Sequence, residues 1–418
     1  MTPRERIRTA LDHREPDRLP VDFGGGMQTG MAVSVVYNLR QALGLDRPGT
    51  PVKVIEPYQM LGEIAPDLQD ALGLDAVPLA GSGTMFGFPL ADWKAWRMPD
   101  GTPVLVPGAF NTDPEPEGDL LQYPEGDRSC GPCARMPAGG HFFDAIVRQD
   151  PIDGATLRVE DNLEEFGTVG EAELGRYARD ADRLRATGRA VFATFGGLTF
   201  GDIALVPAPW LRHPKGIRDI AEWYISTATR PNHIKAIFDR QAAIAVENLE
   251  RLHAAVGDRI DVIQTNGTDF GTQRGPFCSV AAYRDLYLPY QKRVNGWIHA
   301  HTPWKTFMHS CGGIEPLIPS IIEAEFDILN PVQCSAAGMD AAALKRKYGT
   351  RIAFWGGGVD TQRTLPFGSP DQVREEVKER IETFAEGGGF VFCTIHNVVA
   401  NTPIANLLAM FETVKRYR

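Results

Sequence analysis

Short apolar, β-branched or aromatic runs recur along the chain, each closed within a few residues by Gly, Asn or Pro. Six of them are 190–194 (AVFAT), 260–264 (IDVIQ), 304–308 (WKTFM), 326–329 (FDIL), 352–355 (IAFW) and 390–392 (FVF). Near-continuous apolar character over so few residues is the pattern of a strand buried on both faces of a parallel sheet. Longer segments of helical period separate the runs. Pro231 opens PNHIKAIFDRQAAIAVENLERLHAAVG, which stops at Gly257. Ser369 stands as N-cap before PDQVREEVKERIETFAEGGG, with Gly387 at its stop. Thr402-Pro403 opens a last helix with Ile404, Leu407, Leu408 and Phe411 on one face. Such alternation predicts parallel pairing through right-handed crossovers. Two earlier runs, 19–23 (LPVDF) and 76–79 (AVPL), bring the strands to eight, the number that closes a (β/α)8 TIM barrel of the α/β class.

The rhythm breaks between about 91 and 150. A hairpin signal at Pro99-Asp100-Gly101, the acidic run DPEPEGD and the run YPEGDRSCGPCARMPAGG predict an irregular, partly β insertion after the second strand. The expected organisation is one barrel domain over residues 1–418 carrying that insertion. A length of 418 residues fits such a barrel. Hydrophobic content of 43% and charged content of 23% exclude disordered and fibrous classes. A net charge of −10 argues against nucleic acid and membrane surfaces as partners. The start, MTPRERIRTALDHREPDRLP, lacks an apolar secretory core, and six cysteines are few for a chain of this length, so thiols in a reduced cytoplasm are expected.

Among residues that can carry chemistry, His309-Ser310-Cys311-Gly312 follows the run WKTFM directly. A His and a Cys two apart at a strand end can direct an imidazole and a thiolate to one point, a mixture that zinc accepts. The competing reading makes Cys311 a small packed residue. A third ligand is available from FVFCTIHN, where Cys393 and His396 stand at the end of the eighth strand. Strand ends of a barrel share one opening, so their distance along the chain is no obstacle. Asn266 and Asp269, Asn330 and Gln333, and Asp360 occupy equivalent positions after other strands. They are site candidates by place, or loop caps by residue type. Cys130-Gly131-Pro132-Cys133 has a redox spelling in a Pro/Gly loop without the flanking strand and helix, and reads as an incidental pair. Cys278 and Cys334 read as packing residues, with Cys334 close to the mouth, and the glycine triplets at 24–26 and 356–358 read as tight turns.

The segments RERIRTALDHREPDRLPVDFGG, TDFGTQRGPFCS, HSCGGIEPLIPSIIEAEFDILNPVQ and HNVVANTPIANLLAMF resemble the uroporphyrinogen decarboxylase-like superfamily over nearly the whole chain. The resemblance implies a (β/α)8 barrel. In that superfamily the true decarboxylases hold a many-carboxylate tetrapyrrole with arginines after the first strand, where this chain reads VDFGGGMQTGM. The zinc-dependent methyltransferases use HxC and a later Cys. His309 and Cys311 match the first part, and counting back from Thr402-Pro403 puts His396 at the family's cysteine position, with Cys393 slightly earlier. The resemblance thus implies zinc on His309, Cys311 and one of His396 or Cys393; Asp269, Gln333 and Asp360 stand as catalytic candidates by their place after the strands. It also implies a small methylated substrate, a corrinoid (cobalamin) protein or a thiol as the other party, and a homodimer. Two rivals stand beside this reading. One is a metal-free decarboxylase of a smaller acid, with basic residues such as Arg274 at the mouth; the other is a non-catalytic barrel.

Overall fold

The computed structural model describes residues 1–164 and 166–417. Seven strands form one parallel sheet: Ala76–Ala80, Ala190–Thr194, Val262–Asn266, Lys305–His309, Ile328–Asn330, Ala353–Trp355 and Phe390–Val391, each paired with the next in that order. The sheet curls until its edges meet through the extended segment 19–23. Asp22 N–H donates to Phe392 O and Phe392 N–H to Pro20 O, both at 2.9 Å, while Asp75 N–H donates to Val21 O at 2.8 Å. This first barrel position is filled as expected, but as a single bridge between Val21 and Phe392 rather than a strand. Pro20 has no N–H to give, and Gly24 turns the chain away at φ +85°. The strands predicted from 260, 304 and 326 begin one or two residues later, because Ile260, Trp304 and Phe326 pack as lead-ins below the ladder.

The barrel interior is a layer of large side chains. Phe192 meets Phe307 edge-on at 4.7 Å between ring centroids and Trp355 at 5.8 Å, and Phe307 meets Trp355 at 5.9 Å. Aromatic rings at these angles add to the area they bury. Ile7 and Leu11, from the helix Pro3–Leu11, join the same cluster and stop the N-terminal end of the barrel. That helix starts where it does because Thr2 accepts from Glu5 N–H while the Glu5 carboxylate accepts from Thr2 N–H, with Pro3 in the first turn. The same device opens Pro370–Phe384, where Ser369 and Gln372 form a capping box, and Gly387 follows its end at φ +71°. The long helix Pro231–Val256 runs to Gly257, and the last helix is Ile404–Lys415.

Between the second and third barrel positions lie two small sheets. Lys94–Arg97 and Pro103–Val106 form the hairpin signalled by Pro99-Asp100-Gly101, and Val52–Glu56, from the preceding crossover, adds to it in parallel. Leu120–Gln122, Ala134–Met136 and Asp144–Ala145 make a second, antiparallel sheet. Among the described residues no helix is long and apolar enough to cross a membrane.

Candidate metal centre

The strand Lys305–His309 ends at the C-terminal mouth, and its loop is held against the loop following Val262–Asn266. Ser310 Oγ accepts from Phe270 N–H at 2.9 Å, and Asp269 Oδ1 accepts from Cys311 N–H at 2.7 Å. The two backbones then touch at glycines: a Cβ on Gly312, which sits at φ +90°, would lie 2.3 Å from the carbonyl carbon of Gly271. Only glycine at both positions permits this approach. Gln333 Oε1 accepts from Gly312 N–H at 2.8 Å and fastens the loop from its other side. Cys311 is thereby held by backbone contacts on two neighbouring loops.

His309 is fixed more tightly still. Its Nδ1 lies 2.6 Å from Oδ1 of Asn330, in register across the ladder. Asn330 Nδ2 donates to Trp355 O at 2.7 Å, which sets the amide so that oxygen faces the ring. An oxygen can only accept there, so Nδ1 carries the proton and Nε2 keeps its lone pair. That lone pair faces Cys311 Sγ at 3.5 Å. The ring of His396 comes in from beyond the eighth barrel position, 5.3 Å from the His309 ring and at 68° to it. One donor atom each from His309, Cys311 and His396 lies within 4.8 Å of the other two.

Electrostatics make all three groups neutral as they stand. Burial lowers the His309 imidazole, and burial with the neighbouring His309 pushes His396 down to about 4. Burial, and then the Asp269 charge, push the Cys311 thiol well above its ordinary value. Two imidazole lone pairs and a thiol converging in a buried site are a donor set that a divalent cation fits, because binding it supplies the positive charge that would hold Cys311 as a thiolate. A cavity of about 190 Å³ opens beside Cys311 and His396 and is lined further by Gln333, Asp360 and Thr361.

Not every expected residue joins this point. Cys393 is fully buried in the barrel interior beside Val391 and Trp355, and its thiol donates to Thr394 O at 3.3 Å. It stands apart from the donor cluster. Asp269 approaches, with Oδ1 3.8 Å from His309 Nε2. Gln333 reaches the cavity through its role as loop fastener. Asp360 lines the cavity while its Oδ1 accepts from Gln362 N–H at 2.6 Å and Arg363 N–H at 3.1 Å, so it is also a turn cap. Asn266 serves as scaffold, donating to His309 O and accepting from Gln291. Arg274 is exposed and is not among the residues that line the cavity. Cys133 is buried, its thiol donating to Gln122 O, and the CGPC run leads into the strand Ala134–Met136, not a helix.

Two groups near the site escaped the sequence reading. Tyr224 O–H donates to the backbone oxygen of Asp269 at 2.9 Å. Asp202, in the loop after Ala190–Thr194, is raised to about 7 by burial, with the Asp269 charge adding to it. The signal for Asp202 was its place in FGGLTFGD, a glycine-rich loop after a barrel strand.

Comparison with known proteins bears on this arrangement. The sequence model described as uroporphyrinogen decarboxylase (URO-D) matches residues 203–417. No curated protein sequence matches the chain. Among solved structures, a methyltransferase from Methanosarcina mazei is similar in fold, with a TM-score of 0.56 and 16% identity over 100% of this chain and 99% of that one. A hyperthermophilic β-glucosidase mutant aligns at 11% identity over 96% of this chain and 88% of that one; its TM-score of 0.32 carries no argument. Because the family's sequence model takes in just over half of its length, including every residue of the donor cluster, the chain belongs to the uroporphyrinogen decarboxylase family.

Proposed function

We propose that this protein is a zinc-dependent methyltransferase or demethylase that moves a methyl group between a small methylated substrate and a corrinoid protein or a thiol. The observation that carries the reading is the convergence of His309, Cys311 and His396 beside a cavity at the barrel mouth. The methyltransferase from Methanosarcina mazei, similar in fold, is in keeping with it. His309 Nε2, Cys311 Sγ and His396 would hold the ion, which supplies Lewis acidity to a substrate oxygen or holds a bound thiol as thiolate. Three protein ligands leave a position for that substrate atom.

The chain's own residues do the rest. Asn330 keeps the His309 lone pair aimed at the cluster. Asp269 holds the backbone of Cys311 and is the carboxylate placed to exchange a proton there. Gln333 and Asp360 border the space that the substrate enters. The corrinoid is carried by a separate protein that meets the mouth. A decarboxylase acting on a carboxylate substrate is disfavoured, because no Arg or Lys is among the described residues lining the cavity.

Metal analysis of the purified protein tests the reading. Wild type is expected to hold about one zinc per chain, and His309→Ala and Cys311→Ser are expected to lose it. Zinc content unchanged by both substitutions sinks the proposal, as does failure of the zinc-loaded protein to exchange methyl groups with any reduced corrinoid or thiol.

A further inference from the structure

The cavity lining says more about the substrate than the donor cluster does. Resting on the methyl-transfer reading, we infer that the substrate is a small, uncharged methyl ether of a polyhydroxy alcohol, held by amides and hydroxyls at its non-reacting end.

Size is the first argument. The cavity beside the donor cluster is small, about 190 Å³, and suits the end of a small ligand. Pockets that enclose a ligand of ordinary drug size are larger, about 300 Å³ or more.

Charge is the second. Among the described residues that line the cavity there is no Arg and no Lys, and the charged one is Asp360. A divalent ion at the donor cluster would not reverse this field: its two charges are met by the Cys311 thiolate and by Asp269, with Asp360 left over. A carboxylate or sulfonate at the far end of a substrate would meet no cationic partner there and would stand beside the Asp360 charge. Methylated ammonium compounds are recognised by aromatic faces, and no Phe, Tyr or Trp is among the described lining residues.

What the lining does offer is neutral hydrogen bonding. Gln333 is nearly buried, and because its Oε1 is committed to Gly312 N–H at 2.8 Å, its amide N–H groups are turned toward other partners. Thr361 is nearly buried and brings a hydroxyl. Gln273 and Gln362, paired at 3.4 Å, close the outer end with two more amides. Amides and hydroxyls around a small space are matched by vicinal hydroxyl groups, and a site built to bond hydroxyls rejects analogues that lack them.

Calorimetric titration of the zinc-loaded full chain tests this with three ligands of similar size: 3-methoxypropane-1,2-diol, 1-methoxypropane and methoxyacetate. The diol ether is expected to bind at least tenfold more tightly than either of the others. Gln333→Leu is expected to weaken the diol ether at least tenfold, and Gln333→Arg to make methoxyacetate the preferred ligand. Equal or tighter binding of methoxyacetate by the wild type, or no binding of the diol ether, overturns the inference. Zinc content measured on the same samples separates the two readings. Protein without zinc that still prefers the diol ether refutes the metal role alone, whereas zinc-loaded protein without that preference refutes the substrate class alone.

Discussion

Asn330 Oδ1 accepts the Nδ1–H of His309 at 2.6 Å, and the Asn330 amide is itself oriented by Trp355 O at 2.7 Å. A chain of two hydrogen bonds therefore decides which imidazole nitrogen faces Cys311. Removing it in Asn330→Ala frees the ring to rotate and to exchange tautomers. Zinc affinity, measured by competition with a chromophoric chelator, is expected to fall about 10- to 100-fold, the range found when outer partners of histidine ligands are lost. A purely structural role for Asn330 would lower the melting temperature and leave that affinity alone.

The third ligand separates two residues that lie three apart in sequence. Cys393→Ser is expected to retain zinc, because the thiol lies in the barrel interior and bonds Thr394 O. It should cost stability, about 1–3 kcal/mol, as a hydroxyl enters an apolar layer. His396→Ala is expected to do the reverse, losing zinc with a small change in stability. Zinc lost in Cys393→Ser but kept in His396→Ala would overturn the assignment.

Much of this was legible in the chain because burial on both faces leaves little choice of residue. The runs at 190–194, 352–355 and 390–392 had to be apolar throughout, and His309 and Cys311 stood out by following such a run. Strand periodicity even contained the answer for Cys393. Val391 and Cys393 are two apart and both face the interior, whereas His396 lies between the isolated bridges at Phe392 and Val398, outside any strand, where alternation no longer governs direction. Asn330 was visible as a polar residue at a strand end, but its meaning depended on Trp355, 25 residues on, presenting a backbone oxygen. The cap at Asp360 was of the same kind: residue type suggested both a turn and a site, and the structure gives it both. The segment 19–23 read as a strand because its pattern is right, but proline and glycine limit it to one bridge.

The glycine contact beneath Cys311 makes a sharper demand. At φ +90°, and with Gly271 so close, Gly312→Ala adds backbone strain and a steric clash together. We expect a loss of about 2 kcal/mol or more in unfolding free energy. The displaced loop should also weaken zinc binding, although the substituted residue offers no ligand. An alanine variant of unchanged stability and affinity would show that the two loops separate freely.

Phe307 supplies a prediction about the barrel itself. Its ring fills the space between Phe192 and Trp355, which stand two strand positions to either side of it. Phe307→Ala should cost about 3–5 kcal/mol, with Phe307→Leu well under half of that, because the remaining cavity is smaller. Urea unfolding of both variants measures the difference. Since Phe307 lies two residues before His309, the same variants are expected to loosen the metal site in the order of their cavity sizes.

A pH-dependent contribution lies at the opposite end of the strands. His299 Nε2 sits 2.8 Å from Asp327 Oδ2, and that hydrogen bond raises the imidazole above its ordinary value. The same carboxylate oxygen accepts from Thr306 N–H at 2.8 Å, tying the pair to the strand that carries His309. A histidine raised in the folded state stabilises fully below its unfolded value of about 6.5, and loses that contribution as pH rises through the folded value. Partial exposure limits the contribution to about 1 kcal/mol. His299→Gln should therefore be less stable than wild type at pH 5.5, and the gap should close by pH 9. Chemical denaturation at the two pH values measures it, and a gap that is constant or widens with pH rules out a charged His299 as its source.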